Sequence, residues 1–277
     1  TLSRDGFMGL VIQSSGNTIN GLEIRGFQRG VSLGNRDGGP RAYSATGNAI
    51  RENRIHSNER VGIDLYALGT EASVSENFLE NNDLHDNFAG VQFQAMDGGT
   101  CSGNDTQNNQ IHGNVVVGLN VQTLGVSPNA PAMTGNVIRG NDVFDNGSAA
   151  GDGGISMASL AIGAHGYTPT LAGNTVAGNN IRGNAPHGLW LVAGVNDGGS
   201  AETTDNRIAD NTIEANEGWG VKILGALNGL PPIFADGTVA GNVFQGNSFA
   251  GNGLGEISGN SATAVEHTTW GAIKSRW

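Results

Sequence analysis

The sequence is short of the residues on which most compact folds are built. It holds one cysteine, Cys101, which excludes an internal disulfide framework and a cysteine-based zinc site. It holds 7 prolines among 277 residues, too few for the low-complexity chain that 46 glycines would otherwise suggest. Basic residues are scarce as well. Against 25 Asp and Glu there are 14 Lys and Arg, a net charge of -11, which excludes nucleic acid and anionic membrane surfaces as expected partners. No run is apolar enough to cross a bilayer, so membrane insertion is not expected. No Walker loop, nucleotide fingerprint or zinc-protease motif occurs, and Gly-rich matches mean little at this glycine content. No signal peptide is visible. The chain opens at Thr1 rather than Met, and the expectation is that an upstream segment has been removed.

What is present is a repeat. Apolar residues make up 37% of the chain and are evenly spaced, which disordered chains do not achieve. Asparagine returns every five residues at Asn48, Asn53 and Asn58, and the unit recurs at Asn77, Asn82 and Asn87. Seven full copies can be counted, the last at Asn242, Asn247 and Asn252, with an imperfect earlier one from Asn17. Two residues after the first and second Asn stands a core-type side chain, as at Ile50 and Ile55, with Thr106 the exception. After the third Asn come Gly and an apolar-x-apolar run. Nine such units run from Gly9 to a decayed one at Gly255, among them Gly62-Ile-Asp-Leu and Gly90-Val-Gln-Phe.

Each copy therefore holds three short strands. Two are bounded by corners of fixed length, and the third is followed by a stretch of variable length. Strands this short cannot bury a face alone, but stacked copies can. Like positions then lie about 4.8 Å apart. The spacing predicts one all-β domain, a right-handed parallel β-helix of about nine rungs over residues 1–260, with residues 261–277 as a cap. Asparagine is expected at the corners because it tolerates a left-handed backbone and passes amide hydrogen bonds from rung to rung.

The third-strand face is the candidate working face, because the variable loops border it. Along Gly-apolar-x-apolar the x residues point outward. One outward file reads Ser32, Asp64, Gln92, Asn120, Ser156, Trp190, Lys222, and the next includes Tyr66, Gln94 and Gln122. The entering edge adds Arg29, Arg60, Asp152, His187 and Trp219. Amides, hydroxyls, a few charges and two indoles in a shallow trough suit a sugar chain, since amides bond hydroxyls and indole faces stack on pyranose rings. From Asp64 to Trp190 is four rungs, about 19 Å. The alternative is that these positions are polar only because they meet solvent.

The phrase Val61-Gly62-Ile63-Asp64-Leu65-Tyr66, within this repeat, resembles the β-helical catalytic module of mannuronan epimerases and related polysaccharide lyases. In that family the strand reads Tyr-Gly-Phe-Asp-Pro-His, and the Tyr, Asp and His serve chemistry. Gly62 and Asp64 match, while Val61 stands at the Tyr position and Tyr66 at the His position. The resemblance implies a polysaccharide or oligosaccharide partner, an extracellular or periplasmic location, and lyase or epimerase chemistry centred on Asp64, Tyr66 and Arg60. A tyrosine can serve as acid or base when nearby cations lower its pKa. The alternative is that Tyr66 covers the groove floor and Arg60 pairs with Glu59 or Asp86.

Glycoside hydrolysis is the second enzymatic reading. It needs two facing carboxylates. Asp64 and Asp152 stand three rungs apart, about 14 Å and too far, which leaves Asp37 or Asp97 as a partner for Asp64. A third reading is a non-catalytic β-helix, such as an adhesin, surface-layer or phage-fibre segment. No cofactor is expected. Asp-Gly-Gly at Asp37, Asp97 and Asp197 reads as turn chemistry, with calcium the alternative. His56, His85 and His112 recur at one outward position of the second strand and read as solvated surface residues rather than as a metal site.

Overall fold

The computed structural model describes residues 2–3, 8–34, 43–148, 151–162, 167–196, 199–224 and 235–259. The strands coil as a right-handed parallel β-solenoid with no helix among the described residues. Each strand of the repeat bonds in parallel to the strand one turn away, and the register follows the repeat; the short Ala235–Asp236 strand alone among those described pairs antiparallel, with Leu189–Asn196. Ile50 lies between Ile19 and Leu79, and Ile55 between Ile24 and Leu84. The third strands, such as Val61–Leu68 and Ala89–Met96, are the longest and stack in a continuous sheet from Met8–Ile12 to Gly255–Ser258. The proposed cap and the loop at Asp37 lie outside the described residues.

Each complete turn carries a fourth strand that the repeat does not announce. Ser44–Thr46, Ser73–Ser75, Thr100–Ser102 and their successors form a sheet of 7, so the solenoid has seven complete four-stranded turns rather than about nine equal rungs of three strands. These strands sit inside the variable stretches and each contributes a single inward side chain. Cys101 is one of them, fully buried between Val74 and Met133, and burial pushes its thiol pKa up, with the charge of Asp64 adding to the effect.

The asparagines act as expected in one respect and differently in another. Asn109 Oδ1 accepts the backbone N–H of Asn82 at 2.9 Å and its Nδ2 at 3.0 Å. The Asn109 Nδ2 in turn donates to Asn141 Oδ1 at 3.0 Å and to the Leu79 carbonyl at 2.9 Å. All three corner positions repeat this pattern, so the buried amides satisfy one another along the solenoid. The left-handed residue, however, is the one before each ladder asparagine: Glu52 before Asn53, Ser57 before Asn58, Asp86 before Asn87, each with φ near 55°. That position turns the chain. The asparagine itself aims its amide along the stack.

Glycine at the start of the third strand has a packing cause. A Cβ at Gly62 would stand 2.6 Å from the Gly90 carbonyl oxygen, and one at Gly90 would stand 2.6 Å from that of Gly118. The corner is too tight for any side chain there. Thr106, fully buried between Leu79 and Ile138, leaves its hydroxyl without a partner among the described residues.

Candidate functional site

The outward file of the third strand stacks as the repeat predicts. Ser32 pairs with Asp64, Asp64 with Gln92, Gln92 with Asn120, Asn120 with Ser156, Ser156 with Trp190 and Trp190 with Lys222. The next file sets Tyr66, Gln94 and Gln122 in line. The file is not evenly exposed: Ser32, Asp64 and Ser156 are buried, while Gln92, Asn120, Trp190 and Lys222 are half-buried.

At the N-terminal end of this face lies an open cleft of about 450 Å³, lined by Arg29, Glu59, Arg60, Val61, Phe88, Gln92 and Gln94. Arg29 reaches across one turn to Asp64, Nε to Oδ2 at 2.9 Å, and donates from Nη1 to Gln28 Oε1 at 2.9 Å. Asp64 lies beneath that guanidinium with no exposed surface, and Tyr66 is 5% exposed with its hydroxyl donating to Met96 Sδ at 3.0 Å. Neither lines the cleft. Arg60 does line it and is exposed, with no carboxylate within 4.0 Å among the described residues, and Asp86 is engaged by His85 instead. Gln92 Nε2 donates to Gln94 Oε1 at 2.9 Å, and Gln94 Nε2 to Gln122 Oε1 at 3.5 Å, so a row of amides leads out of the cleft. Asn120 Oδ1, next along, is buried without a partner among the described residues.

A second group gathers toward the C-terminal end. The Trp219 backbone N–H donates to His187 Nδ1 at 3.0 Å. The His187 ring meets Trp190 edge-on at 5.9 Å between centroids. Lys222 Nζ donates to Ser258 Oγ at 3.3 Å and stands 5.8 Å from the Trp219 ring centre. Burial and then the nearby Lys222 charge lower the His187 pKa from 6.5, against a smaller opposing pull from the Pro186 carbonyl. Burial raises the pKa of Asp152, which lies between the two groups.

Sequence reasoning missed Phe88 and Glu59 as cleft residues. Phe88 is exposed directly after Asn87, where the other copies carry Glu, Val, Gly or Ala, and that lone aromatic was the available signal. Asp97, a suggested partner for Asp64, is bonded instead to Ser127 and Asn129. The histidine column also differs from expectation. His56 and His85 are buried, because the rings stack on one another and leave little edge to solvent. Centroids are 4.7 Å apart between His56 and His85 and 5.1 Å between His85 and His112, and the stack continues onto Phe144 and Arg182. His56, His85 and His112 bond to Glu23, Asp86 and Asp83, so the column is a self-satisfied stack on the outer face of the second strands.

The sequence pattern described as "Right handed beta helix region" matches residues 1–165. Among curated proteins no sequence matches the chain. Among solved structures it is similar to the periplasmic alginate epimerase AlgG, at 18% identity and a TM-score of 0.52, covering 94% of this chain and 49% of that one. It thus spans about half the length of AlgG. It is also similar to the A-module of the mannuronan C-5 epimerase AlgE4 of Azotobacter vinelandii, at 16% identity and a TM-score of 0.52, covering 96% of this chain and 79% of that one. At these identities the likeness is one of fold.

Proposed function

The chain belongs to the right-handed β-helix family, and on that footing we propose that it binds an acidic polysaccharide along its third-strand face. The observation that carries the reading is the cleft at Arg29 and Arg60. It offers an arginine with no acid partner among the described residues, a second arginine held rigid by Asp64, two glutamine amides and an exposed phenylalanine ring. A guanidinium suits a sugar carboxylate, amides suit hydroxyls, and an aromatic face suits the apolar face of a pyranose. The epimerases of similar fold act, by name, on alginate and mannuronan, and that agrees with an acidic sugar. An extracellular or periplasmic location goes with such a ligand.

Binding is better supported than turnover. Lyase and epimerase chemistry both require a base that reaches the proton beside the carboxylate. Asp64 has no exposed surface, and the Tyr66 hydroxyl is turned to Met96. In this reading Asp64 is a positioning residue, fixing the Arg29 guanidinium. Turnover by a lyase or epimerase route needs Tyr66 to leave Met96 and enter the cleft. Hydrolysis lacks a facing carboxylate pair among the described cleft residues, where Glu59 is the single acid.

The test is affinity electrophoresis against neutral and acidic polysaccharides, with the ultraviolet absorbance of the mixtures followed for unsaturated products. Retardation by a polyuronate, lost in Arg60→Gln and absent with neutral glucans, is the expected result, with no rise in absorbance. Equal retardation of Arg60→Gln would remove the cleft from the account. A rise in absorbance that Tyr66→Phe abolishes would replace binding by lyase activity.

A further inference from the structure

Basic residues are few in this chain, and almost all of those described are neutralised by an acid. Arg25, Arg29, Arg51, Arg54, Arg139, Arg182 and Arg207 each have a carboxylate within 4.0 Å. Two described cations have none among the described residues: Arg60 and Lys222. Both lie on the third-strand face, at opposite ends of the file. Arg60 enters the turn of Val61–Leu68 and Lys222 lies in Trp219–Leu224, and five strand pairings separate those strands. That is about 24 Å along the solenoid axis.

We propose that Lys222, with His187 and Trp219, forms a second anion-binding subsite, and that a ligand binds tightly only when it reaches both this subsite and the Arg60 cleft. The inference rests on the acidic-polysaccharide reading and adds to it a second anchor and a minimum ligand length.

Three features point to an anion at this end. Lys222 is half-buried in a chain of net charge -11, yet its ammonium meets only a serine hydroxyl and an indole ring among the described residues. His187 accepts the Trp219 N–H at Nδ1, which places the proton of its neutral ring on Nε2 as a donor. It is therefore unsuited to act as a base there and suited to bond a carboxylate oxygen. Trp219 and Trp190 supply the flat apolar surface beside these donors. Between the anchors the column that begins at Arg29 carries only Val61, Ala89, Val117 and Gly153 before it reaches His187, so the middle of the face holds a chain without fixing its charges.

Two weak anchors joined by one ligand act as a single strong one once the ligand spans both, with gains on the order of a hundredfold or more. The experiment is calorimetric titration with oligomannuronates and oligogalacturonates of graded length. The natural chain is expected to show a step in affinity at the length that spans both anchors. Lys222→Gln is expected to bind short ligands unchanged and to lose the step, with Lys222→Arg restoring it. A ring-proton titration of His187 by NMR, with long and short ligands, gives a second readout: only long ligands are expected to raise its pKa. A smooth rise of affinity with length, or a step that survives Lys222→Gln, overturns the second subsite and leaves the cleft standing. Failure of the natural chain to bind any of these ligands overturns the acidic-polysaccharide reading, and this proposal with it.

Discussion

The asparagine corners and the third-strand face are built from the same repeat, and they treat polar groups in opposite ways. At the corners every turn is alike, and each buried amide finds its partners in the turns above and below. On the third-strand face no two turns are alike. There, among the described residues, Asn120 Oδ1 and Trp190 Nε1 are buried without partners, and Arg60 and Lys222 lack an acid. A repeat that satisfies itself has nothing left to offer a ligand. Unused donors and acceptors, gathered where the repeat breaks its own pattern, are what a binding face requires.

That contrast can be broken by substitution. The largest effect is expected at Asp64→Ala, on the face: a buried arginine loses its fixed partner, a loss of roughly 3–5 kcal/mol in unfolding free energy by denaturant titration. Binding should fall as well, since Arg29 is no longer held. Asn109→Ala is expected to cost about 3 kcal/mol, because partners on both neighbouring turns are left unsatisfied. Polysaccharide binding by the folded fraction should be unchanged, and a loss there would mean that corners and face are not separable. Thr106→Val fills the same space without an orphaned hydroxyl and should stabilise by about 1 kcal/mol. Gln122→Ala, on the face, should alter stability by less than about 0.5 kcal/mol while weakening binding.

The smallest effects should follow pH. The folded chain favours neutral His187, so the stability tied to it is present above the unfolded pKa and is lost as pH falls below 6.5 through the lowered folded value. His187→Gln should flatten that part of a pH–stability curve measured by thermal melting. Asp152 works in the other direction. Its raised pKa means that its contribution is complete below 3.8 and is lost as pH rises through the folded value. Asp152→Asn should therefore stabilise at neutral pH and tighten binding of an anionic chain. An unchanged melting temperature at neutral pH would show that burial does not burden this carboxylate.

The corners were legible in the sequence because they are local and repeated. Five-residue spacing fixed two strands, and alternation after glycine fixed which residues of the third face outward. The demand for a left-handed residue was read one position too late, because Gly, Glu, Ser, Asn, Asp and Ala all fill it and no single type marks it. The fourth strand was missed for a similar reason: three residues with one inward side chain leave no period to detect. On the face, alternation identified Asp64 as outward but could not show that Arg29, one turn earlier, reaches over and covers it. Side-chain reach between turns leaves no trace in spacing, and the burial of His56 and His85 in a ring stack was hidden in the same way.

The most direct measurement is diffraction from crystals of the protein soaked with an oligouronate. The account predicts sugar density along the file from Asp64 to Lys222, with a carboxylate within hydrogen-bond distance of Arg60. Sugar seated on any of the other three sheets, or a third-strand face left bare at saturating ligand, would contradict it.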